Sequence, residues 1–66
     1  MNLLVNGEPH KHGGNGSIVA LLEECGANAG RVALMVNGAV VARGSWDEVT
    51  LQEDDRIELL VFAAGG

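Results

Sequence analysis

The chain has 66 residues, 47% hydrophobic and 20% charged, with nine acidic residues against four basic ones and a net charge of −5. A length of this kind supports one domain with a small core, and it leaves no room for an enclosed active site assembled from several loops, which argues against a self-sufficient enzyme. The scattered Lys11, Arg31, Arg43 and Arg56 form no basic stripe, so nucleic acid and anionic lipid are poor partners, and long-range steering favours a basic protein.

Met1-Asn2-Leu3-Leu4-Val5 is a short apolar strand, and Asn6-Gly7 after it signals a two-residue hairpin turn. The returning strand, Glu8 to Lys11, contains Pro9, which has no N–H to give to a ladder and therefore belongs at a sheet edge. Gly13-Gly14-Asn15-Gly16 interrupts regular structure, and Ser17 can cap a helix whose Ile18, Leu21, Leu22 and Cys25 make one apolar stripe. Gly26 sits where a helix-terminating glycine belongs. Val32 to Val36 is a third strand, Asn37-Gly38 a second hairpin turn, and Ala39 to Ala42 the strand that returns. Gly44 to Val49 reads as a turn or short 3₁₀ segment, Leu51 to Asp55 as a polar turn, and Arg56 to Phe62 as the last strand. Ala63-Ala64-Gly65-Gly66 carries no structural signal, which divides the chain into a domain over 1–62 and a flexible tail over 63–66.

Two hairpins, a helix and a last strand pack economically as one mixed sheet with the helix across one face. The first and last strands then lie parallel in the centre, joined by a right-handed crossover, and the class is α+β with the β-grasp architecture. Strand alternation points Met1, Leu3, Val5, Leu34, Val36, Ile57, Leu59 and Val61 toward the helix. Leu4, Met35, Leu60 and Phe62 are left on the uncovered face, where a patch of large apolar side chains beside the tail reads as a docking surface for a partner.

The tail has a chemical reading. A backbone without Cβ atoms is thin, and it can thread a narrow channel to present its last carboxylate to another enzyme. A carboxylate becomes an acyl donor once ATP has converted it to an acyl-adenylate, after which a sulfur nucleophile can displace AMP. The chain has no Walker-type phosphate loop, so the adenylation belongs to a partner.

Over essentially its whole length the sequence resembles the ThiS family. The resemblance rests on Leu3-Leu4-Val5-Asn6-Gly7, on Ser17-Ile18-Val19-Ala20-Leu21-Leu22 and on Val32-Ala33-Leu34-Met35-Val36-Asn37-Gly38. It extends to Val41 to Arg43 followed by Trp46, and to the terminal Gly65-Gly66. The ending alone is shared with ubiquitin and MoaD; the short length and the Arg43…Trp46 spacing favour ThiS. The family usually has Gly-Asp before the last strand, where this chain has Asp54-Asp55; Asp tolerates left-handed backbone, so the turn survives. The resemblance implies a ubiquitin-like β-grasp fold and a sulfur carrier of thiamin thiazole biosynthesis. An E1-like adenylyltransferase, ThiF, would use ATP and magnesium to adenylate Gly66, with Ala63, Ala64 and Gly65 in its channel. A sulfur-relay protein would supply sulfur to form a Gly66 thiocarboxylate, and the thiazole synthase ThiG would consume it. The chain itself would bind no cofactor and catalyse nothing. A MoaD-like carrier for molybdopterin or another sulfur product, a ubiquitin-like modifier of lysines and a β-grasp module with an inert end remain alternatives.

The other reactive residues read as structural. Cys25, the single cysteine, allows neither a disulfide nor an iron–sulfur cluster, and its place on the apolar stripe marks a buried inert thiol. His10 and His12 lack a third ligand and read as surface residues, and no metal site is expected. Glu53-Asp54-Asp55 is a solvated turn, Asn15-Gly16-Ser17 a sequon with no sign of secretion, and Arg43 with Trp46 a structural anchor. Met1 to Val5 has neither the basic segment nor the long apolar run of a signal peptide, and no apolar run approaches the ~20 residues of a membrane span, so the expected location is cytoplasmic.

Overall fold

The computed structural model describes residues 1–62. The expected tail, Ala63, Ala64, Gly65 and Gly66, lies outside the described residues. Strands β1 (Asn2–Val5), β2 (Glu8–Lys11), β3 (Val32–Val36), β4 (Ala39–Val41) and β5 (Arg56–Val61) form one sheet in the order β2-β1-β5-β3-β4. β1 and β5 are parallel and the other neighbours antiparallel, as the crossover argument requires. The helix α1 spans Ile18–Glu24, and 3₁₀ turns occupy Ala29–Arg31 and Arg43–Glu48.

Local chemistry accounts for most of these boundaries. Both hairpins close through left-handed pairs, Asn6 and Gly7 at φ 51 and 81 and Asn37 and Gly38 at φ 51 and 86, the conformation that makes Asn-Gly the preferred two-residue turn. Pro9 lies on the outer strand β2, where its missing N–H costs nothing. The Ser17 hydroxyl accepts the Ala20 N–H at 3.3 Å and starts α1. Asp54 takes φ 68, the left-handed position expected in place of the family's glycine.

The turn asparagines also work at long range. The Leu59 N–H donates to Asn6 Oδ1 at 2.8 Å, and the Asn6 amide donates back to the Leu59 carbonyl at 3.3 Å. On the other side the Arg56 N–H donates to Asn37 Oδ1 at 2.9 Å, and the Asn37 amide donates to Asp55 Oδ1 at 2.9 Å. Each hairpin tip therefore grips β5, which lies between β1 and β3.

The core is aliphatic around one indole. Leu3, Leu34 and Ile57 from the sheet meet Ile18, Leu21 and Leu22 from α1, all at most 2% exposed. Trp46 closes the cluster at 5% exposure, and its indole N–H donates to the Val41 carbonyl at 3.0 Å, so it anchors the 3₁₀ turn as expected, whereas Arg43, read with it as an anchor, is exposed. Leu51 departs from the reading of 51–55 as a polar turn, because it is 1% exposed. The Leu51 N–H donates to the Gly16 carbonyl at 2.8 Å beside a Ser17–Thr50 bridge, and this drives the side chain into the core.

Three expectations about orientation fail. Cys25 is exposed, because α1 ends at Glu24 and the fourth position of the stripe falls on the capping residue, past the last turn. Met1 and Val61 are 39% and 75% exposed rather than inward; Met1 precedes β1, and Val61 is the last residue of β5. β5 stops at Val61, one residue before the expected end.

Leu51→Ala should lower stability by about 2–5 kcal/mol through lost burial and a residual cavity. Val40→Ala, at a side chain 73% exposed, should change it by no more than ~0.5 kcal/mol. Urea denaturation of both variants against wild type checks the contrast.

Candidate docking face

The last pairing of β5 is Val61 with Val32, and the Phe62 N–H then donates to the Arg31 carbonyl at 3.0 Å, so the described chain ends beside Arg31. The sheet face away from α1 is read from the register. Leu4 lies opposite Pro9 and Arg56, Glu58 opposite Met35, Met35 opposite Val40, and Leu60 opposite Ala33. Leu4, Leu60 and Phe62 are 37%, 56% and 51% exposed, and Met35 is half-buried.

The four residues expected on this face do not form one patch. Met35 and Leu60 adjoin Ala33 and Val40 on the tail side. Leu4 lies across the sheet, with Arg56 beside it and Glu58 next along β5. Val40 belongs to the apolar area and was not picked out from the sequence. Its signal was present, because an Asn37-Gly38 turn that pairs Val36 with Ala39 must pair Met35 with Val40. Beside this area an apolar cavity of about 280 Å³ opens between β3, β4 and Phe62. Its walls include Ala33, Val40, Ala42 and Arg43.

A second cluster joins β2 to α1. Glu24 Oε1 accepts from His10 Nε2 at 2.8 Å and from His12 Nδ1 at 3.0 Å, while Glu24 Oε2 accepts the Gly13 N–H at 2.8 Å. The Gly16 N–H donates to His12 Nε2 at 3.0 Å, so Nε2 carries no proton and Nδ1 is the donor to Glu24. His12 is 3% exposed, not a surface residue, because this loop wraps its ring and satisfies both nitrogens. Gly14 is needed for the wrap, since a Cβ there would stand 2.8 Å from His12 Cε1. The hydrogen bonds from His10 and His12, with that from Gly13, hold the Glu24 carboxyl at about 2, against a smaller opposing effect of desolvation. Among the described residues no group of three or more His, Cys, Asp or Glu is placed to hold a metal ion. The Cys25 thiol is pushed up by partial burial and the Glu24 charge, which makes it a poor nucleophile near neutral pH.

The model of the ThiS family matches residues 3–66. The chain belongs to the ThiS family. The crystal structure of the thiamine biosynthesis protein ThiS from Geobacter metallireducens superposes with a TM-score of 0.80 at 36% identity, covering all of both chains. The solution structure of a thiamine biosynthesis protein from the same organism gives 0.75 at 36% identity, covering 100% of this chain and 88% of that one. Among curated proteins the chain is 42% identical to a thiazole synthase of Magnetococcus marinus and 32% identical to one of Paramagnetospirillum magneticum, over all 66 residues in both cases. It spans 20% of the length of each of these two. The mixed five-stranded sheet with one helix is the ubiquitin-like β-grasp fold of ThiS proteins.

In this ThiS family member the Glu24 clamp gives an acid-sensitive contribution to stability. The folded carboxyl, at about 2, lies below its ordinary value of 4.5, so the contribution is complete above 4.5 and disappears as pH falls toward 2. Glu24→Gln should flatten stability against pH across that window and lower stability at neutral pH. Thermal melts of wild type and variant from pH 2 to 7 provide the comparison.

Proposed function

We propose that the chain is a sulfur carrier of thiamine biosynthesis that holds sulfur as a thiocarboxylate on Gly66 and acts as a cosubstrate of partner enzymes in the cytoplasm. The observation that carries this reading is the ThiS family match, which runs through Gly65-Gly66, together with the β-grasp domain before it. An E1-like adenylating partner joins a Gly66 carboxylate oxygen to the α-phosphorus of ATP and releases pyrophosphate, with magnesium neutralising the phosphates. A hydrosulfide equivalent from a sulfur-relay protein then adds to the Gly66 carbonyl and expels AMP, which leaves the thiocarboxylate. Ala63, Ala64 and Gly65 carry no long side chain to obstruct a channel, and glycine at the end permits any backbone conformation the partner's site demands.

A thiazole synthase is the acceptor that best fits the comparisons. The two curated relatives bear that name, and each contains a segment matching this whole chain. The fold supports the division of labour as well. β5 runs through the middle of the sheet and ends at Val61, beside an exposed apolar area suited to docking. No described helix is long and apolar enough to cross a membrane.

Incubation with a cognate E1-like enzyme, ATP and a sulfur source should exchange one oxygen for sulfur in the intact mass, and an unchanged mass refutes the reading. Lysine adducts in cell extract would instead indicate a modifier, and rescue of molybdenum-cofactor rather than thiamine auxotrophy a MoaD-like carrier. Deleting Gly66 should abolish the exchange while leaving the thermal melt unchanged. Leu60→Asp and Phe62→Asp should each weaken docking to the adenylating enzyme by about 2 kcal/mol, roughly 30-fold in Kd, measured by titration calorimetry.

A further inference from the structure

The cavity beside Phe62 has a defined cause and one charged residue, Arg43, in its wall. β4 pairs with β3 only as far as Leu34–Val41, whereas β3 continues to Val32 opposite Val61. After Ala42 the chain turns into the Arg43–Glu48 3₁₀ segment instead of extending the strand. The edge of β3 at Val32 is left open, and the apolar cavity of about 280 Å³ forms there. Arg43 lines it, and Arg31 adjoins Phe62 through the carbonyl that accepts the Phe62 N–H. Both arginines are exposed. Among the described residues the ion pairs are those of Glu24 with the two histidines, so neither guanidinium has a carboxylate partner there.

We infer that this cavity receives one large apolar side chain of the adenylating partner, and that Arg31 and Arg43 pair with carboxylates that flank it on that partner. The inference rests on the sulfur-carrier reading and names the chemistry of its docking site. Half of the basic residues of a chain with net charge −5 lie by Phe62, Arg43 in the cavity wall and Arg31 through its carbonyl. Arginine suits such a contact, because its planar fork binds a carboxylate through two hydrogen bonds and its weak hydration makes burial cheap. A nucleotide phosphate is the other anion to consider, and chain length argues against it. Gly66 is four residues beyond Phe62, a reach of roughly 13–14 Å when extended into a channel, which carries the reacting carboxyl past either arginine side chain. The acidic character of the domain as a whole steers a basic partner from a distance, while the two arginines set the register once surfaces meet within a Debye length of ~8 Å.

The test measures binding and turnover of the full chain with the E1-like adenylating enzyme of the same organism. Arg31→Glu and Arg43→Glu should each raise Kd on the order of 10-fold, with the difference shrinking at high salt. The maximal rate of thiocarboxylate formation at saturating carrier should stay at the wild-type value. Arg31→Gln and Arg43→Gln, which remove charge without reversing it, should shift Kd in the same direction by a smaller factor. Kd values within twofold of wild type for both charge reversals would overturn the inference while the carrier reading stands. A wild-type chain that neither binds nor gains sulfur would overturn the carrier reading, and the inference with it.

Discussion

β5 is held in the middle of the sheet by two asparagines that reach it from opposite sides. Asn6, at the tip of the first hairpin, exchanges two hydrogen bonds with Leu59, and Asn37, at the tip of the second, binds Arg56 and Asp55. An amide is the side chain that can donate and accept at one site, and the left-handed backbone at both positions aims it at the neighbouring strand. Without a β5 between them, β1 and β3 would expose their inner edges, and the parallel pair that sets the crossover would not exist. The position of Phe62 follows from the same constraint, because a central last strand must end at one edge of the sheet.

The core follows from this arrangement. With β5 between β1 and β3, the inward residues Leu3, Ile57 and Leu34 fall in adjacent strands and share the apolar stripe of α1. A helix of only seven residues covers part of that face, so the remainder is closed by Trp46 and Leu51 from the segment before β5. The buried His12 serves a comparable purpose on the polar side. Its ring links the glycine-rich loop to Glu24, so the entry and the last turn of α1 are tied to β2 by hydrogen bonds, with little apolar surface involved.

The exposed apolar surface is a consequence of incomplete cover. One helix shields one face, and the opposite face keeps Leu60, Met35 and Val40 accessible next to Phe62. A shortened β4 adds a cavity at the same end. These features converge at the end of the sheet where β5 stops and Phe62 bonds to Arg31. The comparisons with ThiS proteins concern the same whole-chain fold, so the convergence belongs to a body built around its last strand.

Signals confined to a few neighbouring residues were legible in the sequence. Asn6-Gly7 and Asn37-Gly38 specify their turns, Ser17 its cap, Pro9 an outer strand and Asp54 a left-handed turn, because each depends on local backbone energetics. The strand order was also legible, since two hairpins, one helix and a last strand leave few ways to bury their apolar faces. What tertiary structure alone decided depends on contacts between distant segments. Leu51 looked like part of a polar turn until its backbone met Gly16, and His12 looked exposed until Gly16 and Glu24 closed on its ring. Leu4 shared an alternation pattern with Leu60, but only the register showed Arg56 and Glu58 lying between them. Periodicity assigns a side chain to a face, whereas its neighbours on that face are fixed by pairing across strands far apart in the chain.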